Sequence, residues 1–205
     1  SVGVPFGDEN TEIFYLKSFM KGIEYLSKFD NASIISGHSY QTFEPGITIN
    51  MNGMYEHESK KTLARENNLI YLSKPLGVGY LLAAYFKNSD LLDSKDFNEV
   101  LTSMKLSNKN ASEIAKKHQT KSMTDISGFG LASHLGDICK TSGLTANIHL
   151  DEKLLINPNL EILKKFQSTG YKSNYESVSH YIKSEGNNPY MDILYDPQTN
   201  GPLLM

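Results

Sequence analysis

Apolar residues recur every three or four positions from Ile13 through Leu16, Met20, Ile23 and Leu26 to Phe29, with Lys17, Lys21, Glu24 and Lys28 between them. That spacing predicts an amphipathic helix. Asp8 or Asn10 opens it, Glu12 sits in its first turn and Asp30-Asn31 breaks it. Residues 1–5 read as a strand closed by Pro5. Residues 32–35 read as a strand running into Ser36-Gly37-His38-Ser39, and residues 46–53 alternate as another strand. Residues 56–68 are mostly polar and are the candidate domain boundary, although a solvated turn and helix within one domain explains them as well.

Residues 69–72 form a short apolar run that predicts a strand. It ends in Ser73-Lys74-Pro75-Leu76-Gly77-Val78-Gly79, where Pro75 stops a ladder and two glycines permit a tight turn. Residues 80–86 suit a buried helix. Asp93 is an N-cap candidate with Asp96 three residues on, followed by Phe97, Val100, Leu101 and Met104 at helical spacing. Asn110 and Glu113 resemble a capping box that starts a further short helix. Residues 123–127 predict a strand and turn. A helix follows, with Phe129, Leu131, Leu135 and Ile138 on one face and Gly143 at its end. Residues 145–150 alternate as a strand, Leu160 to Phe166 suggest a helix, 176–182 are loosely helical and 191–195 read as a last strand. This mixture predicts α/β or α+β layers.

Composition narrows the function classes. With 205 residues, 39% hydrophobic, the chain can pack one large domain or two small ones. A net charge of −3 with no Lys/Arg run leaves no footprint for nucleic acid. The apolar runs are too short to span a membrane. The single cysteine, Cys139, permits no intrachain disulfide, which fits a cytoplasmic protein. The first residues lack the pattern of a signal peptide, and a start at Ser1 rather than Met suggests a chain that begins mid-protein.

Four junctions share one design, an apolar run followed by small, polar and glycine residues: 36–39, 73–79, 125–130 and 196–201. Ligands of α/β proteins gather at such strand ends. None matches a Walker A loop or a complete GxGxxG fingerprint. Asp125 allows two readings. It is a carboxylate for a metal ion bridging to phosphates beside a glycine-lined helix start, or it caps the following helix through nearby backbone. Gly128 and Gly130 mark a sharp turn where a ligand could approach closely. Lys74 could offer charge to a phosphate or be a solvated lysine before a proline. Asp196 is expected to anchor its own turn, and Cys139 to be a small helix residue rather than a nucleophile.

Met-Thr-Asp-Ile-Ser-Gly-Phe-Gly-Leu at 123–131, Leu-Ser-Lys-Pro-Leu-Gly-Val-Gly at 72–79, Ser-Gly-His-Ser at 36–39 and Asp-Pro-Gln-Thr at 196–199 follow one another in an order that resembles selenophosphate synthetase (selenide, water dikinase). That family belongs to the AIR-synthase-like superfamily. The resemblance implies an α/β fold, with residues 1–58 as the end of an ATP-binding domain and 66–205 as a truncated C-terminal domain. It implies a homodimer that makes selenophosphate from selenide and ATP with Mg2+, leaving AMP and phosphate. By the same resemblance Gly37, His38 and Ser39 contact ATP and Asp125 binds the metal.

The family's nucleophilic Cys or selenocysteine, its neighbouring Lys and its other metal-binding Asp residues correspond to positions upstream of Ser1, so the expectation is a chain inactive by itself. Ser36 stands where the family has Gly, and Pro202 interrupts its small-residue run. These departures motivate an alternative, a non-catalytic dimerising relative that binds nucleotide.

Overall fold

The computed structural model describes residues 1–54, 59–87 and 90–205. The chain divides into two compact units, residues 1–56 and 57–205. The expected boundary at residue 58 lies outside the described residues.

The first unit is a three-stranded sheet with one long helix. β1 (Val2–Pro5) is central, paired parallel to β2 (Ser39–Thr42) and antiparallel to β3 (Gly46–Ile47). Pro5 closes β1, as expected of a residue without an N–H. α1 (Glu9–Asp30) follows the predicted periodicity. The Asp8 carboxylate accepts the Thr11 N–H at 3.0 Å, and Asn31 ends the helix in the left-handed region at φ 53°. α1 packs on β1, yet none of its residues is fully buried. Leu16, Met20 and Ile23 are half-buried, and Phe14 and Tyr25 stay exposed.

The strand predicted at 32–35 is absent. The Val2 N–H bonds the His38 carbonyl, so the ladder with β1 starts at Ser39 and leaves Ile34 and Ile35 exposed. β3 covers only two of the eight residues predicted for it, because its ladder ends where Thr48 and Ser1 exchange hydrogen bonds.

The second unit holds the larger core. α2 (Val78–Phe86) buries Val78, Tyr80, Leu81 and Ala84 and packs against α3 (Ser94–Lys105) and α6 (Leu160–Lys165). α3 starts with a complete capping box between Asp93 and Asp96. α4 (Lys109–Lys117) starts one residue before the predicted Asn110 and has no side-chain cap. β4 (Thr124–Asp125) pairs antiparallel with β5 (Leu203–Leu204), while Tyr71 and Met205 exchange hydrogen bonds of 2.9 and 3.0 Å at the far side of β5. The predicted strand at 69–72 is thus reduced to a single bridge, Leu72 to Leu204. α5 (Gly130–Ser142) ends at Gly143 in the left-handed region, as predicted.

Two further expectations need correction. Residues 145–150 form no strand and do not keep the alternation: Ile148 and Leu150, which would share one face, are exposed and buried respectively. Residues 191–195 form a 3-10 helix instead of a strand. Ile193, Leu194 and Tyr195 are buried in succession against α5, which a strand, with side chains on alternate faces, cannot do against one neighbour. α7 (Tyr171–Val178) starts before the loosely helical stretch expected at 176–182. The result is a mixed α/β fold with α+β layers.

Candidate functional site

Three of the four junctions meet in the second unit, and residues 196–202 join them. The first four N–H groups of a helix lack intrahelical partners. At the start of α2 this chain supplies the partners itself. The Gln198 Oε1 accepts the Gly77 and Val78 N–H groups at 3.1 and 3.2 Å, and an Asp196 carboxylate oxygen accepts the Gly79 N–H at 3.0 Å. The Gln198 Nε2 in turn donates to that carboxylate at 2.9 Å and to the Asp196 carbonyl at 3.0 Å. A Cβ on Gly79 would stand 2.5 Å from both Asp196 Oδ1 and the Pro197 carbonyl oxygen, so this close approach requires glycine. The negative charge favoured at a helix N-terminus is an internal carboxylate here. Burial pushes the Asp196 carboxyl up to about 7, opposed by the donors from Gln198, Gly79 and Tyr80. The loop at 73–79 is therefore filled by the chain's own side chains, not shaped as an open phosphate cradle.

The same segment closes the other end of α3. Asn200 Nδ2 donates to the Met104 and Leu106 carbonyls at 2.7 and 3.1 Å. Lys74 is buried, with its ammonium group on the carbonyls of Ser103, Leu106 and Asn200. Neither sequence reading of Lys74, phosphate partner or solvated lysine, matches this arrangement. Asp196 likewise reaches beyond its own turn. Its position relative to Gly79, 117 residues earlier, left no signal in the local pattern.

Asp125 ends β4 with its side chain exposed, while Ile126 is fully buried, following the alternation of a strand. The Ile126 N–H bonds the Pro202 carbonyl at 2.9 Å, and Asp125 pairs with Leu203. The carboxylate therefore projects from backbone fixed on both sides. It does not cap α5, whose N-cap position is Phe129 with no side-chain cap. Gly130, at φ 74°, would bring a Cβ within 2.9 Å of the Leu194 carbonyl oxygen, so its close approach is to the 3-10 helix at 191–195. Gly128 is exposed, with its carbonyl held by Asn174 Nδ2 at 2.9 Å.

His134, one turn into α5, accepts the Ser127 N–H at Nε2, at 3.3 Å. Burial lowers its pKa, with Lys61 pushing the same way and Asp125 and Asp137 opposing. An accepting Nε2 places the ring proton on Nδ1, which is buried without a partner. The Ser127 hydroxyl lies 3.4 Å from Nε2, but among the described residues no third group orients the ring as a base-activated nucleophile requires. Cys139 is half-buried, and burial raises its thiol pKa, which fits the inert role expected of it. Among the described residues, no group of three or more His, Cys, Asp or Glu is placed to hold a metal ion.

Gly37, His38 and Ser39 belong to the first unit and are all exposed. The His38 ring stacks with Tyr40 at 6.4 Å between centroids. Ser39 and Tyr40 line an open cleft of about 350 Å³ with Val4, Glu12, Ile13, Leu16 and Gln41; Gly37 and His38 lie outside its lining. The Gln41 Nε2 donates to Glu12 Oε1 at 2.7 Å across this cleft.

Residues 65–177 match the family described as AIR synthase related protein, C-terminal domain, which is more than half of the chain. The chain belongs to this family. It is similar to a selenide, water dikinase of Caldanaerobacter subterraneus subsp. tengcongensis, 31% identical over 195 residues, covering 93% of this chain and 56% of that protein. It is 28% identical over 179 residues to a protein of the same name from Sulfurimonas denitrificans, covering 84% and 50%. A third, from Escherichia coli O157:H7, is 29% identical over 209 residues, covering 100% and 58%. The chain spans about half the length of these curated relatives.

The AIR synthase-related stretch carries Lys74, Gly79, Asp125 and His134, whereas Asp196 and Gln198 lie beyond the match. Loops on both sides of the match's end thus fix one another. Asp125 fits a hard cation as one oxygen donor of several, since Mg2+ needs an octahedral set that a single carboxylate cannot complete. No helix among the described residues is long and apolar enough to cross a membrane.

Proposed function

We propose that this chain is part of a cytoplasmic, homodimeric enzyme that makes selenophosphate from selenide and ATP, leaving AMP and phosphate. The observation that carries the reading is the similarity to proteins named selenide, water dikinase over as much as the whole chain, a span that includes both the 36–39 loop and Asp125. In this reading residues 1–58 complete an ATP-binding domain, and 66–205 form the C-terminal domain. Gly37, His38 and Ser39 contact the nucleotide, offering backbone and small polar groups on an exposed loop. Asp125 is one Mg2+ ligand, a role supported by its exposed carboxylate at the end of β4. Bound Mg2+ supplies charge neutralisation on the phosphates during transfer. The other ligands and the nucleophile come from parts of the protein outside these residues.

Pro202 does not argue against activity. Its carbonyl accepts the Ile126 N–H, a bond that needs no N–H of its own. The test is AMP formation from ATP with and without selenide, by the full-length protein and by its Asp125→Asn variant. Selenide-dependent AMP, with a raised Mg2+ requirement in the variant, supports the proposal. Nucleotide binding without selenide-dependent turnover would instead establish the non-catalytic dimerising relative. The 205-residue chain alone is expected to give no turnover.

A further inference from the structure

A buried lysine ammonium normally finds a carboxylate, because moving a charge out of water is costly without a counter-charge. Lys74 is 5% exposed, and among the described residues no carboxylate lies within ion-pair distance of it. Its three hydrogen bonds go to backbone carbonyl oxygens alone: Ser103 at 3.4 Å, Leu106 at 2.9 Å, and Asn200. Ser103 and Leu106 lie at the C-terminal end of α3, where the helix dipole is negative; the Ser103 carbonyl also accepts the Leu106 N–H at 3.3 Å, sharing its oxygen between that bond and the ammonium. Asn200 adds the third oxygen from a residue in the left-handed region, at φ 47°. Its own amide holds the Met104 and Leu106 carbonyls, which keeps the cage in shape whatever stands at its centre.

A cage of neutral carbonyl oxygens, without carboxylates, suits a singly charged ion of low hydration demand. We propose that these oxygens form a monovalent-cation site that the chain fills with its own Lys74 ammonium, so that ammonium or potassium ion takes the place when the side chain is shortened. The internal cation ties α3 to the 196–202 segment and makes that junction independent of dissolved cations.

The experiment compares thermal unfolding of wild type, Lys74→Ala and Lys74→Met in ammonium, potassium and choline chloride at one ionic strength. Lys74→Ala opens the cage, whereas Lys74→Met fills it with apolar atoms. In choline both variants melt below wild type. With cation tenfold above its Kd, ammonium or potassium raises the Tm of Lys74→Ala by roughly 3–6 °C more than that of wild type or Lys74→Met. An equal response of all three proteins overturns the proposal. Should Lys74→Ala not fold in any of these salts, amine acylation of wild type read by mass spectrometry decides. Lys74 is expected to react more than about tenfold slower than Lys95 and Lys172, because labelling must await local opening. Reaction at the rate of those two exposed lysines sinks the idea.

Discussion

Truncating Gln198 to alanine tests whether the 196–202 segment holds the second unit together. The Oε1 of Gln198 serves two buried N–H groups, those of Gly77 and Val78, and its Nε2 donates twice to Asp196. Alanine leaves both N–H groups without an acceptor. A buried unsatisfied group costs about 1–3 kcal/mol, so two give about 2–6 kcal/mol. A water admitted to the vacated space recovers part of this, leaving about 2–4 kcal/mol. For a unit of this size the loss lowers Tm by roughly 4–16 °C. Circular dichroism reads the transition, and native-state hydrogen exchange reads Gly77 and Val78 directly. Both amides should lose protection while the core of α5 keeps its own. A Tm shift under about 2 °C with the two amides still protected would refute the capping role. Gln198→Glu separates acceptor from donor. It keeps an acceptor oxygen for the two N–H groups of α2 but sets a second carboxyl beside Asp196, and like charges raise a carboxyl pKa. A raised folded-state value means stability that is present below the unfolded pKa and lost as pH rises through the folded one. This variant should therefore approach wild type in acid and fall away from it toward neutral pH.

Neighbouring contacts give two more expected outcomes. Gly79→Ala should cost about 1–3 kcal/mol by overpacking against the fixed Pro197 carbonyl, whereas Gly136→Ala, in α5 with nothing within 4 Å of its Cβ, should stabilise by about 0.5–1 kcal/mol. Denaturant melts of both, compared with wild type, check the contrast. His134 has a folded pKa below its unfolded value of 6.5, so its contribution is fully present above pH 6.5 and is lost as pH falls below it. The Tm difference between wild type and His134→Gln should accordingly shrink on acidification, and a difference that stays constant from pH 8 to pH 5 (a span of about three units) would rule that out.

Elements set by short-range chemistry are legible in the order of residues alone. The spacing from Ile13 to Phe29, the Asp8 cap, the Asp93–Asp96 box and Gly143 are all local, and α1, α3 and α5 stand where these predict. So is the alternation that exposes Asp125 and buries Ile126. The short apolar runs are not. Residues 191–195 and 32–35 have strand-like composition, but whether such a run pairs, coils or lies bare depends on what stands beside it. β5 follows Gly201-Pro202 and exists through pairing with β4, about 80 positions earlier.

The chain's sequence by itself determined α1, α3 and α5, the caps that end them and the four loops at which chemistry could be placed. Only the tertiary structure decided that three of those loops serve one another. A helix end must find partners for its free N–H or C=O groups, and the sequence near the start of α2 and the end of α3 contains few. Asp196, Gln198, Asn200 and Lys74 supply them across large separations. That obligation turned a glycine loop with the look of a phosphate cradle into an internal cap, and left Asp125 as the carboxylate that faces outward.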